Sequence, residues 1–198
     1  MPYQMTPWGY EVSGYPPPLI DLDTFNALTG GRWDDDARVE SMLDAASAAV
    51  RNYCGWHIVP NIACRVTIDT DAPTRSLWVP TTCMTSLDSI TVGDGEIEAE
   101  WSRIGQVRTH AYVPRGLQAA TVEYHAGLNA VPPDLAAVVA GVIVHAVALS
   151  YGVTSESAGG VSVSYASGAA YGGAAMASLT DADRAALVPY VAVMAHAT

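Results

Sequence analysis

Cys54, His57 and Cys64, with Cys83 further along, are the residues whose types could hold a metal. Thiolates and imidazoles suit zinc, which takes such ligands in a tetrahedron at recurrent short spacings. The run C-x2-H-x6-C matches none of those spacings, and Cys54 falls on the apolar stripe of a helical pattern. The three cysteines are therefore read as free thiols of a core, with His57 as a surface histidine. Asp34, Asp35 and Asp36 could meet a hard cation, but three consecutive carboxylates cannot converge on one ion unaided, and no calcium-loop spacing follows. At the start of a helix they serve better as caps. Asp69 and Asp71 stand where a strand gives way to a turn, a common place for aspartate. Nucleophile motifs of the G-x-S-x-G and S-x-x-K kinds are missing, and so is a phosphate loop. His110, His125, His145 and His196 are scattered. The sequence points to no catalytic residue, no cofactor and no metal.

Composition narrows the classes further. The chain of 198 residues suits one domain, and half of it is hydrophobic, enough for a core without disulfides or metal. Twenty acids face nine bases, all arginine, for a net charge of −11. A protein that grips phosphates needs a basic face, so this balance argues against nucleic-acid binding. It is compatible with a surface past which DNA slides without adhering. The start Met1-Pro2-Tyr3 lacks a basic-then-apolar leader pattern, so secretion is not expected.

The elements that would position these residues follow from periodicity. Residues 1–20 are rich in proline and aromatics, including Trp8, Tyr10, Tyr15 and Pro16 to Pro18, and read as an extended arm that packs on a neighbour. A short helix is expected over 23–30. From Asp34 to Ile58, apolar or small residues at Val39, Met42, Leu43, Ala46, Ala49, Val50 and Tyr53 repeat at three-four spacing, and Gly55 supplies the stop. Period-two stretches then appear at Cys64 to Asp69, Ser76 to Val79, Leu87 to Val92, Ile97 to Ile104 and Ala119 to His125. After Pro132-Pro133, Asp134 opens a helix that is apolar nearly all round. It is shorter than a membrane span requires and contains His145, so it reads as a core or interface helix. Residues 152–178 form a Gly/Ser/Ala-rich loop in which Val161 to Tyr165 alternates, and Thr180 to Asp183 opens a closing helix. The expected fold is α+β: a three-helix core over about 36–54, 134–151 and 180–195, carrying a small inserted antiparallel β unit over about 63–127. The domain expectation is an arm at 1–20 and a single domain at 21–198.

The helix ARVESMLDAASAAVRNYCGWHI, from Ala37 to Ile58, resembles the first long helix of tailed-phage head–tail connector (adaptor) proteins. Further passages follow in the same order. Thr121 to Gly127 with Val131 to Leu135 resembles that family's strand, Y-x-x-G turn and Pro-capped second helix. Glu156-Ser157 to Tyr165 resembles its E-S-x-G-x-x-S-x-S-Y loop, and Leu179 to Tyr190 its closing helix. The resemblance implies a non-enzymatic virion protein: a homo-oligomeric, usually dodecameric ring at the head–tail junction, assembled in the host cytoplasm. Its implied partners are the portal protein, head- or tail-completion proteins and DNA passing without specific binding, with no membrane. Interface candidates are Trp8, Tyr10, Tyr15, Val161, Val163, Tyr165, Leu187 and Tyr190. A head-completion (stopper) or tail-terminator ring is the neighbouring alternative. A small hydrolase with an unrecognised carboxylate site is the alternative from another class.

Overall fold

The computed structural model describes residues 3–33, 37–150, 155–158, 161–164 and 178–193. Two compact units are built from interleaved parts of the chain. The first comprises Met1–Pro16, Arg51–Ala130 and Val188–Thr198; the second comprises Pro17–Val50 and Val131–Leu187.

The first unit is a β structure. Strands β1 (Tyr3–Met5), β2 (Glu11–Ser13), β3 (Ile62–Thr70), β5 (Met84–Val92), β6 (Gly95–Glu96) and β9 (Gly116–Ala126) form an antiparallel sheet in the order β1-β2-β3-β9-β5-β6. Strands β4 (Thr74–Trp78), β7 (Ala99–Trp101) and β8 (Gln106–Val113) form a second sheet in the order β4-β8-β7. The long central strands are cut from alternating sequence. Ala120, Val122, Tyr124 and Ala126 of β9 are buried at every second position, opposite Ile68, Val66, Cys64 and Ile62 of β3. On the other flank Val122 and Tyr124 face Ile90 and Leu87 of β5. The shared parity of β3 and β9 fixes their register, since a one-residue slip would turn these side chains to the opposite face, while a bulge between Leu87 and Ser89 keeps β5 in step.

The second unit is helical: α1 (Leu22–Thr29), most of α2 (Ala37–Cys54), α3 (Pro133–Ser150), α4 (Asp181–Leu187), and a hairpin of β10 (Ser155–Ala158) with β11 (Val161–Ser164). Asp21 caps α1 by accepting from Thr24 N–H at 2.8 Å, and Gly30 closes it at φ 68°. On α2 the buried positions Val39, Met42, Leu43, Ala46 and Val50 make one stripe, and Leu19 N–H is anchored on Ser47 Oγ at 2.8 Å. Helix α3 buries Leu135, Val139, Ile143 and Val147 and packs against α1 and α4. Among the described residues, no helix is long and apolar enough to cross a membrane. Asp34 to Asp36, expected as caps, lie outside the described residues.

This architecture corrects the expectation of a three-helix core (36–54, 134–151, 180–195) with a small β insertion (63–127). Among the described residues antiparallel sheet predominates, nine strands in two sheets plus the β10–β11 hairpin, alongside four helices. Two physical reasons account for the difference. Sheet begins at Tyr3, because the aromatic segment folds as a hairpin whose β2 pairs with β3 through Val12 and Cys64, a partner far along the chain. The closing helix is only the short α4. Its Thr180–Asp183 capping box forms, with Thr180 N–H on Asp183 Oδ2 at 2.8 Å, but Pro189 disfavours helical geometry at the preceding residue. The chain continues as a 3-10 turn, Val188–Tyr190.

Candidate assembly surface

A buried polar cluster fastens the N-terminal hairpin to the first unit. Tyr10, His57 and Arg51 are 1%, 0% and 4% exposed. His57 Nε2 lies 2.9 Å from Ala126 O, which can only accept, so that nitrogen carries the proton. Nδ1 then accepts from the Tyr10 hydroxyl at 2.8 Å, and that hydroxyl in turn accepts from His57 N–H at 2.9 Å. Arg51 donates from Nε to His57 O at 2.8 Å, from Nη2 to Val59 O at 3.0 Å and from Nη1 to Pro16 O at 3.4 Å. These bonds engage carbonyls outside the strand ladders, and His57 O also accepts from Val59 N–H at 2.8 Å. His57, read from sequence as a surface residue, is a core residue because α2 ends at Gly55 (φ 77°) and the chain turns inward there.

Burial is the main reason the His57 pKa is lowered to about 4; the Arg51 charge adds to it, and the bond to Ala126 O opposes it. The unfolded chain therefore takes up this proton first, near pH 6.5. The resulting stability is complete above pH 6.5, declines as pH falls, and is lost once pH passes below about 4. The full contribution is about 3 kcal/mol. Urea melts at stepped pH should give a steeper slope across that window for the parent chain than for His57→Gln. Equal slopes would refute the assignment.

The other residues with chemical potential are dispersed. Cys54, Cys64 and Cys83 are buried free thiols, and burial raises Cys54 and Cys64 to about 12. Among the described residues no group of three or more His, Cys, Asp or Glu side chains could hold a metal ion. Asp69 accepts from Gln118 N–H at 2.6 Å and so braces a turn. His125 pairs with Asp88 at 3.4 Å and His110 with Glu98 at 3.5 Å, both on open surface.

The interface candidates named from sequence fall in different surroundings. Tyr15 is 78% exposed. Trp8 is half-buried and donates from Nε1 to Asn52 Oδ1 at 2.9 Å. Tyr10 and Leu187 are buried in their own chain. Tyr190 is half-buried, and its carbonyl accepts from Trp56 Nε1 at 2.6 Å. Val161 and Val163 lie in β11, which pairs only with β10 among the described residues; Tyr165 lies outside them.

Two surface features escaped the sequence reading. One is the turn between β8 and β9, where Leu117 is 84% and Tyr112 67% exposed beside exposed Pro114 and Arg115. The turn is braced: Thr70 Oγ1 donates to Pro114 O at 2.6 Å and accepts from Gly116 N–H at 3.2 Å, and Asp69 holds Gln118 at φ 52°. Arg75 lies over the Tyr112 ring, 5.1 Å from its centroid, and donates to His110 O. Parity carried a signal here, since Leu117 stands out of step with the buried positions Ala120, Val122 and Tyr124. The other feature is a cleft of about 490 Å³ in the helical unit, lined by Pro17, Pro18, Leu19, Ile20, Val131 and Ala136, with Asp21 and Thr24 as its polar members. Its wall comes from segments more than a hundred residues apart in the chain, so no local pattern reveals it.

Residues 19–177 match the family described as "Head completion protein". No curated protein matches the sequence. The fold is similar to that of a chain in a structure described as "Neck of empty GTA particle computed with C6 symmetry". The TM-score is 0.52 at 16% identity, covering 96% of this chain and 98% of that one. A chain in "Neck of native GTA particle computed with C12 symmetry" aligns at a TM-score of 0.45 and 16% identity, over 75% of this chain and 88% of that one.

Proposed function

The chain belongs to the head completion protein family, and from that premise we propose that it is a structural, non-enzymatic virion protein forming a closed ring that joins the portal of the phage head to the tail. The family match across residues 19–177 carries this reading. The neighbour of similar fold comes from a particle neck computed with sixfold symmetry, which agrees with a rotationally symmetric assembly at the head–tail junction. A ring needs a heterologous interface that closes on itself. Exposed Met5, Tyr15, Tyr112 and Leu117 supply apolar surface for such contacts. In this reading the portal and a further completion protein lie on either side of the ring, and DNA passes without specific binding. Part of the excess of acids over arginines faces the lumen and repels the phosphates. A ring whose lumen proved neutral or basic would remove that last element.

Mass measurement of the purified chain, alone and with portal-bearing heads, tests the main reading. A closed oligomer of about a dozen copies is expected. A species that stays monomeric in both settings would overturn it. The β10–β11 hairpin adds a finer expectation. Among the described residues its two strands pair only with each other, and in the ring we expect one outer edge to pair with a neighbour or the portal, with Val161, Val163 and Tyr165 at the contact. Hydrogen exchange should show residues 155–164 gaining protection on assembly. Equal protection before and after would count against strand addition.

A further inference from the structure

We propose that, in the ring put forward above, the β8–β9 turn of one copy seats Leu117 in the proline-lined cleft of the next copy, with Arg115 facing the Asp21 carboxylate. The turn has the composition of an interface anchor. It gathers Tyr112 and two arginines, residue types enriched among those that carry binding energy when buried against a partner, around the apolar Leu117 and Pro114. It is also pre-shaped: Thr70 and Asp69 hold Pro114, Gly116 and Gln118 by side-chain bonds, so docking would order little that is not already ordered.

The cleft complements it in shape, polarity and charge. About 490 Å³ is room for a turn tip rather than a single methyl group, and the walls are aliphatic apart from Asp21 and Thr24. Hydrogen bonds from Thr24 lower the Asp21 pKa, which keeps the carboxylate ionised. The charge distribution points the same way, because the helical unit holds eleven of the twenty acids and three of the nine arginines. Among the described residues Leu117 is 84% exposed, which leaves its side chain open to a partner. Knob and cleft are different patches of one chain, and a contact between them is head-to-tail, the type that closes rings rather than dimers. Duplex DNA is a poorer occupant for the turn, since phosphates gain nothing from Leu117 and Tyr112 and favour a face free of carboxylates.

The test uses the full chain. Leu117→Asp changes an exposed side chain, so its thermal melt should match that of the parent, while assembly at a concentration where the parent forms rings should fall at least tenfold. A Leu117→Cys/Thr24→Cys double variant should give a ladder of covalent oligomers under mild oxidation, and neither single variant should. The native thiols are 0%, 0% and 7% exposed and will not compete. Parent rings with undiminished Leu117→Asp assembly, or double-cysteine rings with no ladder, would overturn the contact while leaving the ring reading intact. Leu117→Asp rings that assemble but no longer join heads to tails would reassign the turn to another neck protein, which also overturns it. A parent chain that forms no ring would instead sink the reading on which the contact rests.

Discussion

Gly127→Ala is expected to destabilise the chain by about 3–5 kcal/mol, a large share of a typical domain's stability. At φ 126° the backbone is in a region that L side chains rarely adopt, and an added Cβ would fall on the Pro60 carbonyl oxygen, 2.6 Å from its carbon and 2.8 Å from Asn61 Cα. All three obstacles are backbone atoms, so no rotamer change relieves the clash. Retreat is blocked as well. Gly127 N–H donates to Cys83 O at 2.9 Å and Leu128 N–H to Ile58 O at 2.8 Å, and moving the strand exit would strain both. Gly93→Ala makes the control: its φ of 59° is also positive, but the space beyond its Cα is open. Urea unfolding should separate the two variants by at least about 2 kcal/mol. Similar midpoints would show that the close approach to Pro60 does not govern this turn.

Trp56→Ala ranks beside it, with an expected loss of about 3–5 kcal/mol. Trp56 is 0% exposed, meets the His57 ring edge-on at 5.6 Å, and donates from Nε1 to Tyr190 O at 2.6 Å. The indole thus ties the segment after α4 to the β unit, beside the bond from Ala192 N–H to Cys54 O at 2.8 Å. Truncation should leave a cavity and remove the indole's bond to the Tyr190 carbonyl together. Trp56→Phe should refill part of the volume and restore part of the stability without the hydrogen bond. A second readout follows from the same geometry: thiol labelling of Cys54, buried in the parent, should quicken in Trp56→Ala under native conditions. Labelling at the parent's rate, with an unchanged melting temperature, would disprove this anchoring role.

These two residues show how unevenly the structure was legible. Gly127 was visible as part of a Y-x-x-G turn, but its reason was not: the obstacle is Pro60, at the entry to the neighbouring strand β3 and more than sixty residues away in the chain. Trp56 stood in the sequence as one aromatic past a helix stop, and only Tyr190, more than a hundred residues away, makes it a fastener. The interface candidates divide along the same line. Tyr10 and Tyr15 belong to one aromatic run, yet one is sealed against His57 and the other is 78% exposed.

Local periodicity was enough to determine α2, α3, the stop at Gly55 and the central strands, because a helix stripe or an alternating strand is written in residues within a few positions of one another. Order among weak motifs was enough for the family. The balance between sheet and helix, the hairpin at the N-terminus, the early end of α4, the Tyr10–His57–Arg51 cluster, the braced turn at Leu117 and the cleft facing Asp21 were decided only by the tertiary fold. Each depends on which distant segments meet, and the free energy of those meetings comes from burial and backbone pairing that no short window of sequence contains.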